Sequence, residues 1–193
     1  MPRIIYIKDI KDKKLITLGI EHEGVSVRYF INYALYVKLG RPVKNEDISS
    51  RAVDEIKYCD ELYRAKKKAL GYLALADNNS RELALKLKRA GFCRDVADEV
   101  TREMVELGYI NEARQLERLI TREAQTKLSG PRKICARLAA KGYSLSDIKS
   151  AMRALGDSGE LDFDAVKEEL LTRKLADPSD TEEKKKILYK YGF

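Results

Sequence analysis

Three short stretches of this chain end alike: in "LKRAGF", "LAAKGY" and "LYKYGF" a leucine, three residues with at least one basic among them, a glycine and an aromatic recur. The glycines, Gly91, Gly142 and Gly192, stand 51 and 50 residues apart. Glycines alone would carry little weight. The 51-residue offset, however, also superposes Leu83 on Ile134, Leu87 on Leu138, Phe92 on Tyr143, Met104 on Leu155, Gly108 on Gly159, Ile110 on Leu161, Leu119 on Leu170 and Arg122 on Arg173. Helix ends and apolar positions repeat together, which is the signature of a tandem architecture. A glycine after helical periodicity closes the helix in a left-handed conformation with no Cβ penalty. The expected fold is therefore mainly α, with tandem three-helix repeats of about 50 residues. Such modules bury their apolar faces partly on their neighbours and build an elongated, curved array.

The repeats do not reach the amino terminus. "RIIYIKDI", "KLITLGIEHEGVSVRYFIN" and "ALYVKL" are rich in Ile, Val, Tyr and Phe with partial alternation, which reads as three short antiparallel strands with a hairpin turn at His22–Gly24. A sheet this small is marginal in water and should pack on the helices that follow. Gly40 and Pro42 punctuate the junction "LGRPVKNEDISS". Beyond it Val53, Ile56, Cys59, Leu62, Ala65, Ala69, Leu70 and Leu73 recur at helical spacing. A short helix follows from Arg81 to Ala90, capped by Asn79 or Ser80 with Glu82 completing a capping box on Asn79, and another from Arg94 to Leu107. The expected organisation is a β-rich segment at 1–44, a first helical repeat with a leading long helix at 45–109, a second at 110–160 and an incomplete third at 161–193. In this phasing the Gly-aromatic pairs end each module's second helix, and the third module is interrupted at Phe193.

Charge is concentrated. From Arg114 to Lys141 there are eight basic residues and two acidic ones, net +6 of the whole chain's +7. Arg114, Arg118 and Arg122 stand at i, i+4 and i+8, as do Lys133, Arg137 and Lys141 on the next helix, so each helix carries a basic stripe. Leu116, Leu119 and Ile120, then Ile134, Cys135 and Leu138, turn inward opposite the stripes. Long basic stems can serve as an ordinary solvated face. With so few acids to balance them, the stripes point instead to a polyanion or an acidic partner. The contact candidates are Arg114, Arg118, Arg122, Arg132, Lys133, Arg137 and Lys141, with Lys66, Lys67, Lys68, Lys184, Lys185 and Lys186 as secondary ones.

Catalytic chemistry is absent from the pattern. The single histidine, His22, falls in a turn, and there is no Gly-rich phosphate loop, metal-ligand spacing or serine nucleophile motif. Asp162 and Asp164 suit the cap and first turn of a helix. Tyr109, Tyr143, Tyr189 and Tyr191 could stack on bases, although the positions equivalent to Phe92 suit plugs at helix junctions. Cys59, Cys93 and Cys135 lie far apart and read as small buried thiols rather than a disulfide framework or zinc site. No apolar run is long enough to span a membrane or form a signal-peptide core, so the expectation is a cytoplasmic, non-enzymatic protein without cofactor or metal, monomeric in solution.

The stretches "SRELALKLKRAGFCRDVADEVTREMVELGYINEARQLERLI" and "GPRKICARLAAKGYSLSDIKSAMRAL" resemble the RecX family of bacterial regulatory proteins. The resemblance runs from about Leu70 to the end and, more loosely, through the amino-terminal strands. It rests on the Ser-x-x-Leu opening at Ser80, "GF" at Gly91, "LGYI" at Leu107–Ile110, "GPRKI" and "KGY". It implies tandem three-helix repeats, binding to the RecA recombinase and its filament on single-stranded DNA, and inhibition of RecA's ATPase, strand-exchange and co-protease functions. A role in recombination, DNA repair and the SOS response would follow, with direct DNA binding in some members. Asn111 and Glu112 stand where the family usually has Asp-Asp or Asp-Glu, and Leu116 where an aromatic is common. The alternative is a stand-alone nucleic-acid-binding protein using the same basic face.

Overall fold

In the computed structural model of the chain, which describes residues 1–10 and 14–193, the β-rich start forms one three-stranded antiparallel sheet. Its strands β1 (Arg3–Ile10), β2 (Leu15–His22) and β3 (Val25–Asn32) follow one another in order. His22 pairs with Val25 across a two-residue turn in which Glu23 and Gly24 both have positive φ, the turn whose twist matches paired strands. "ALYVKL" is not a strand. Tyr33–Lys38 is helix α1, because the Asn32 side chain accepts a hydrogen bond from the Leu35 amide (2.7 Å) and so starts a helix where β3 ends. Aromatic and β-branched composition was overridden by this cap.

The sheet packs on α2 (Ser50–Leu75), as its size requires. Ile4, Ile16, Leu18, Ile20 and Ile31 share a core with Ile48, Val53 and Ile56. Asp60, buried on α2, accepts the Phe30 amide of β3 (2.8 Å) and pairs with Arg64. The helices α3 (Ser80–Arg89), α4 (Arg94–Glu106) and α5 (Glu112–Thr121) follow, α5 running into a π-helical turn at Arg122–Thr126. Then come α6 (Pro131–Ala140), α7 (Leu145–Asp157), α8 (Phe163–Lys174) and α9 (Thr181–Tyr191). Two compact units result: Met1–Ala76 with Ala84–Met104, and Asp77–Leu83 with Val105–Phe193.

The start of α3 carries the expected capping box. Asn79 accepts from the Glu82 amide (2.7 Å), and Glu82 reaches back to the Asn79 amide (3.4 Å). Cys93 is exposed rather than buried, because it stands just before α4 with its amide held by Glu61 (2.8 Å) and its side chain outside the helix face that packs. Cys59 and Cys135 are half-buried. The repeat is visible as structure: α3, α6 and α9 end at Gly91, Gly142 and Gly192, each with positive φ, and α4 and α7 at Gly108 and Gly159, likewise. Leu83, Leu87, Met104 and Ile110 are buried, and so are their counterparts Ile134, Leu138, Leu155 and Leu161.

Within the second unit, successive repeats are joined by a recurring contact. The Asn79 side-chain amide donates to the Lys141 carbonyl (2.9 Å), and a methyl on Gly142 would stand 2.6 Å from Arg81 Cδ. One repeat later, Gly130, the counterpart of Asn79, donates its amide to the Tyr191 carbonyl (2.7 Å), and the Arg132 amide donates to Gly192 (3.2 Å). A methyl on Gly192 would stand 2.5 Å from the Lys133 nitrogen. The chemistry around the two contacts differs. In the first, Glu112 accepts the Ser80 amide (2.7 Å), the Tyr143 hydroxyl donates to Gln115 (2.9 Å), and Gln115 donates to the Asn78 carbonyl (3.2 Å). In the second, Pro131, Phe163, Val166 and Phe193 stand at the positions of Ser80, Glu112, Gln115 and Tyr143.

Gly130 has an ordinary φ of −78°, which any residue adopts, yet a methyl there would sit 2.5 Å from the Gly192 carbonyl oxygen and 2.8 Å from the Phe193 nitrogen. Gly130→Ala is expected to cost about 1–3 kcal/mol through this backbone overlap. Gly159→Ala, open around its Cβ position but at φ +74°, should cost about 1 kcal/mol from conformation alone. Urea unfolding of the two variants checks the ranking; an equal or smaller loss at Gly130 would show that the end of α9 is not seated there.

Candidate functional site

The basic stripe sits on three consecutive elements, α5, the π turn and α6, and its members have different roles in the fold. Asn111 caps α5 by accepting the Arg114 amide (3.0 Å), leaving the Arg114 side chain exposed. One turn on, Arg118 forms an ion pair with Asp77. Arg122 opens the π turn and is exposed. Such turns insert an extra residue into the helical ladder and often mark sites under selection for something besides stability. Here the turn carries Glu123 into the interior.

Glu123 is the centre of this region. Its side chain is only 7% exposed, and Lys127 and Arg137 each pair with one of its oxygens, tying the π turn to α6. Burial pushes the carboxyl's pKa up, but hydrogen bonds and charge from the two cations outweigh that and hold it below its ordinary value of 4.5. Arg137 is therefore a structural partner before it is a surface charge. The spacing of Glu123 and Lys127 at i, i+4 was a readable sign of that anchor, whereas the reach to Arg137, fourteen residues on, was not.

At the start of α6, Arg132 donates to the Phe193 carbonyl and lies 5.5 Å from the Tyr189 ring centroid. Lys133 donates to the Lys190 carbonyl (3.1 Å) and lies 4.6 Å from the Tyr191 ring centroid. These contacts orient both side chains, and Lys133 is half-buried. Among the described residues, Arg114, Arg122 and Lys141 are the exposed members of the seven candidates that have no side-chain partner. Opposite them, Leu116, Ile120, Ile134 and Leu138 are buried, and Leu119 and Cys135 pack against the same core.

The secondary candidates lie apart from these. Lys66 pairs with Glu103 (2.7 Å), Lys68 lies 5.3 Å from the Tyr72 ring centroid, and Lys67 is exposed. On α9, Lys185 pairs with Glu182 (3.1 Å), while Lys184 and Lys186 are exposed. Of the tyrosines, Tyr143 is buried and hydrogen-bonded, and burial raises its phenol pKa; Tyr109 and Tyr189 are exposed. Asp162 caps α8 by accepting the Asp164 amide (2.8 Å). Among the described residues no cluster of His, Cys, Asp or Glu could hold a metal ion, and no helix is long and apolar enough to cross a membrane.

No family model matches the chain. Curated relatives do. The regulatory protein RecX of Listeria monocytogenes serotype 4a (strain HCC23) is 24% identical over 120 residues, 62% of this chain and 45% of the relative. The RecX of Pseudomonas fluorescens is 28% identical over 129 residues, covering 66% and 80%, and that of Lactobacillus gasseri 22% identical over 210 aligned positions, covering 98% and 75%. The chain thus spans under half the length of the Listeria relatives it matches. A crystal structure of regulatory protein RecX superposes over 100% of this chain and 95% of its own with a TM-score of 0.74 at 16% identity. The crystal structure of RecX from Lactobacillus salivarius covers 69% and 89% with a TM-score of 0.57 at 24% identity. The resemblance read from the sequence is therefore shown by curated relatives, and the small sheet followed by helical repeats is the fold of solved RecX structures.

The anchor has a pH signature. Because the folded state holds Glu123 below its ordinary pKa, it contributes stability that is fully present above pH 4.5 and is lost as pH falls through the depressed folded value. In urea unfolding from pH 6 down to about pH 3, the wild type is expected to lose stability more steeply than Glu123→Gln. Arg137→Ala should cost about 2 kcal/mol, less than a fully orphaned buried charge because Lys127 remains. Parallel pH profiles for wild type and Glu123→Gln would overturn the assignment.

Proposed function

We propose, taking the kinship with RecX as premise, that this chain is a non-catalytic regulatory protein that binds the RecA recombinase and its filament on single-stranded DNA. In that role it inhibits ATP hydrolysis, strand exchange and co-protease activity, and so acts in the control of recombination and DNA repair. The observation that carries the reading is sequence similarity to curated RecX proteins, which in one case extends over 98% of the chain. The basic region on α5, the π turn and α6 supports it physically. A filament on DNA presents phosphates and protein carboxylates along a groove, and cations that are not neutralised at home are the ones able to answer them.

Arg114, Arg122 and Lys141 are assigned the leading part. They are exposed and unpaired among the described residues, whereas Arg118 and Arg137 already answer Asp77 and Glu123. Arg118, Arg132, Lys133 and Arg137 contribute to the field around them but double as parts of the scaffold. Contacts of this kind are salt-sensitive, with each neutralised phosphate of a single strand adding about 0.7 to the log–log slope of affinity against salt.

The test is RecA's DNA-dependent ATP hydrolysis with added protein. The triple variant Arg114→Glu, Arg122→Glu, Lys141→Glu should raise the half-inhibitory concentration by about tenfold or more, since each reversal forfeits at least roughly 0.5 kcal/mol at an exposed site. Circular dichroism should be unchanged, because none of the three side chains holds a partner among the described residues, and the backbone contacts of Arg114 and Lys141 do not depend on residue type. Undiminished inhibition by the variant would remove these residues from the contact. Absence of inhibition by the wild type, together with DNA binding when RecA is left out and no pull-down of RecA when DNA is left out, would favour a stand-alone nucleic-acid-binding protein.

A further inference from the structure

We propose that the cleft at the Gly91–Phe92 end of α3 is a docking site for the acidic first turn of a helix belonging to a partner protein. The other two Gly-aromatic ends each receive the start of an earlier helix. At Gly142 the preceding carbonyl, that of Lys141, receives the side-chain amide of Asn79 from the start of α3, with Arg81 against the glycine. At Gly192 the preceding carbonyl, that of Tyr191, receives the amide of Gly130 from the start of α6, with Lys133 against the glycine. Each end therefore seats a helix start. Gly91 has the same left-handed backbone, at φ +94°, but among the described residues nothing beyond its chain neighbours lies within 4 Å of where its Cβ would stand. Ala90 supplies the carbonyl that corresponds to those of Lys141 and Tyr191.

What lies beside this open end is a cleft of about 410 Å3. Gly71, Tyr72, Leu75 and Phe92 give it an apolar floor, and Arg64, Lys67 and Lys68 give it a basic rim with no acid among its lining residues. Leu75 is 86% exposed, a large apolar side chain left in water. Lys68 and Lys86 both approach the Tyr72 ring, at 5.3 and 5.7 Å from its centroid, which adds positive charge to the same wall. The amino end of a helix carries roughly half a positive charge and would be repelled here. Carboxylates in its first turn reverse the sign, which is why the occupant must be acidic at its start. The apolar floor suits leucines one turn further on and distinguishes this site from a phosphate-tracking groove. The proposal is independent of the RecA reading.

The probe is a fluorescein-labelled peptide of about 15 residues, long enough to hold a helix. It has an Asn cap, Asp and Glu in the first turn and leucines at i and i+4 after it. Titrated with the full chain, it should show a saturable rise in anisotropy. Leu75→Glu, and separately the pair Lys67→Glu, Lys68→Glu, should each weaken binding by about tenfold, while Lys184→Glu with Lys186→Glu should leave it unchanged. All these positions are exposed, so circular dichroism should match the wild type throughout. The proposal is overturned if the wild type gives no saturable rise, if Leu75→Glu binds as well, or if a peptide with Gln in place of the carboxylates binds as tightly. It also fails if oligothymidylate displaces the peptide and shows the same sensitivity to Leu75→Glu, which would make the cleft a nucleic-acid site. Concentration-dependent sedimentation abolished by Leu75→Glu would make the occupant a second copy of this chain and would likewise overturn it.

Discussion

A carbonyl one residue before a glycine, receiving a donor from the cap position of an earlier helix, is the contact on which the second unit of this chain is built. It works only because the glycine does two things together. It turns the backbone left-handed, which ends the helix and aims the preceding carbonyl outward, and it presents no side chain to the incoming helix start. At Gly142 the approach is against Arg81, and at Gly192 against the Lys133 backbone itself, where no rotamer change could make room for a methyl. The same geometry is then filled with two chemistries. The first junction is a hydrogen-bonded set, with Asn78, Ser80, Glu112, Gln115 and Tyr143 satisfying one another. The second replaces the donors and acceptors together by Pro131, Phe163, Val166 and Phe193. Removing both partners of a buried hydrogen bond is close to neutral, whereas removing one is expensive. Ser129, at the Asn78 position, shows the residue of that exchange: its hydroxyl is buried without a partner among the described residues.

Much of this was legible in the sequence, and the parts that were not share a cause. Period, helix ends, the Asn79–Glu82 capping box and the inward face at Leu116, Ile120, Ile134 and Leu138 are local or periodic properties, so they can be read from spacing. The role of the glycines as seats for another helix is a relation between residues some 50 or 60 apart, such as Asn79 and Lys141. Spacing gives the period of a repeat but leaves its phase and its inter-repeat contacts undetermined. "ALYVKL" failed for a different reason: its composition favours a strand, and a single cap at Asn32 decided against composition. Cys93 was misread because position relative to a helix start, rather than residue type, sets its exposure.

The candidate site shows the same division more sharply. Counting charges between Arg114 and Lys141 treats eight cations as one population. Three of them pair with acids, Arg118 with Asp77, and Lys127 and Arg137 together with the one carboxylate of Glu123. Two more, Arg132 and Lys133, direct their donors to carbonyls near Gly192, which orients them without cancelling their charge. A buried carboxylate with two cations is costly to desolvate and more costly to break, so it binds the π turn to α6 while cancelling one unit of the region's positive charge and fixing Lys127 and Arg137 in place. Glu123 was visible in the sequence as one of only two acids in the region, yet its burial depends on a π turn that no periodicity announces.

Comparison of the repeats then separates what the module needs from what this copy adds. Arg114 corresponds to Ala165 in the next repeat, Arg118 to Glu169, Arg122 to Arg173 and Glu123 to Lys174, and Lys141, aligned on the glycines, to Tyr191. Arg173 pairs with Glu169 on its own helix, so the one retained cation is neutralised. α8 also runs as an α-helix to Lys174 without the π turn that follows α5. A three-helix module of this geometry therefore needs neither the exposed cations nor the buried anchor beneath them. Features that a repeat can do without structurally, and that one copy keeps while its neighbour lacks them, are not explained by folding. The unpaired positive charge at Arg114, Arg122 and Lys141 belongs to that class, and this is what supports the contact proposed for these residues over an ordinary solvated face.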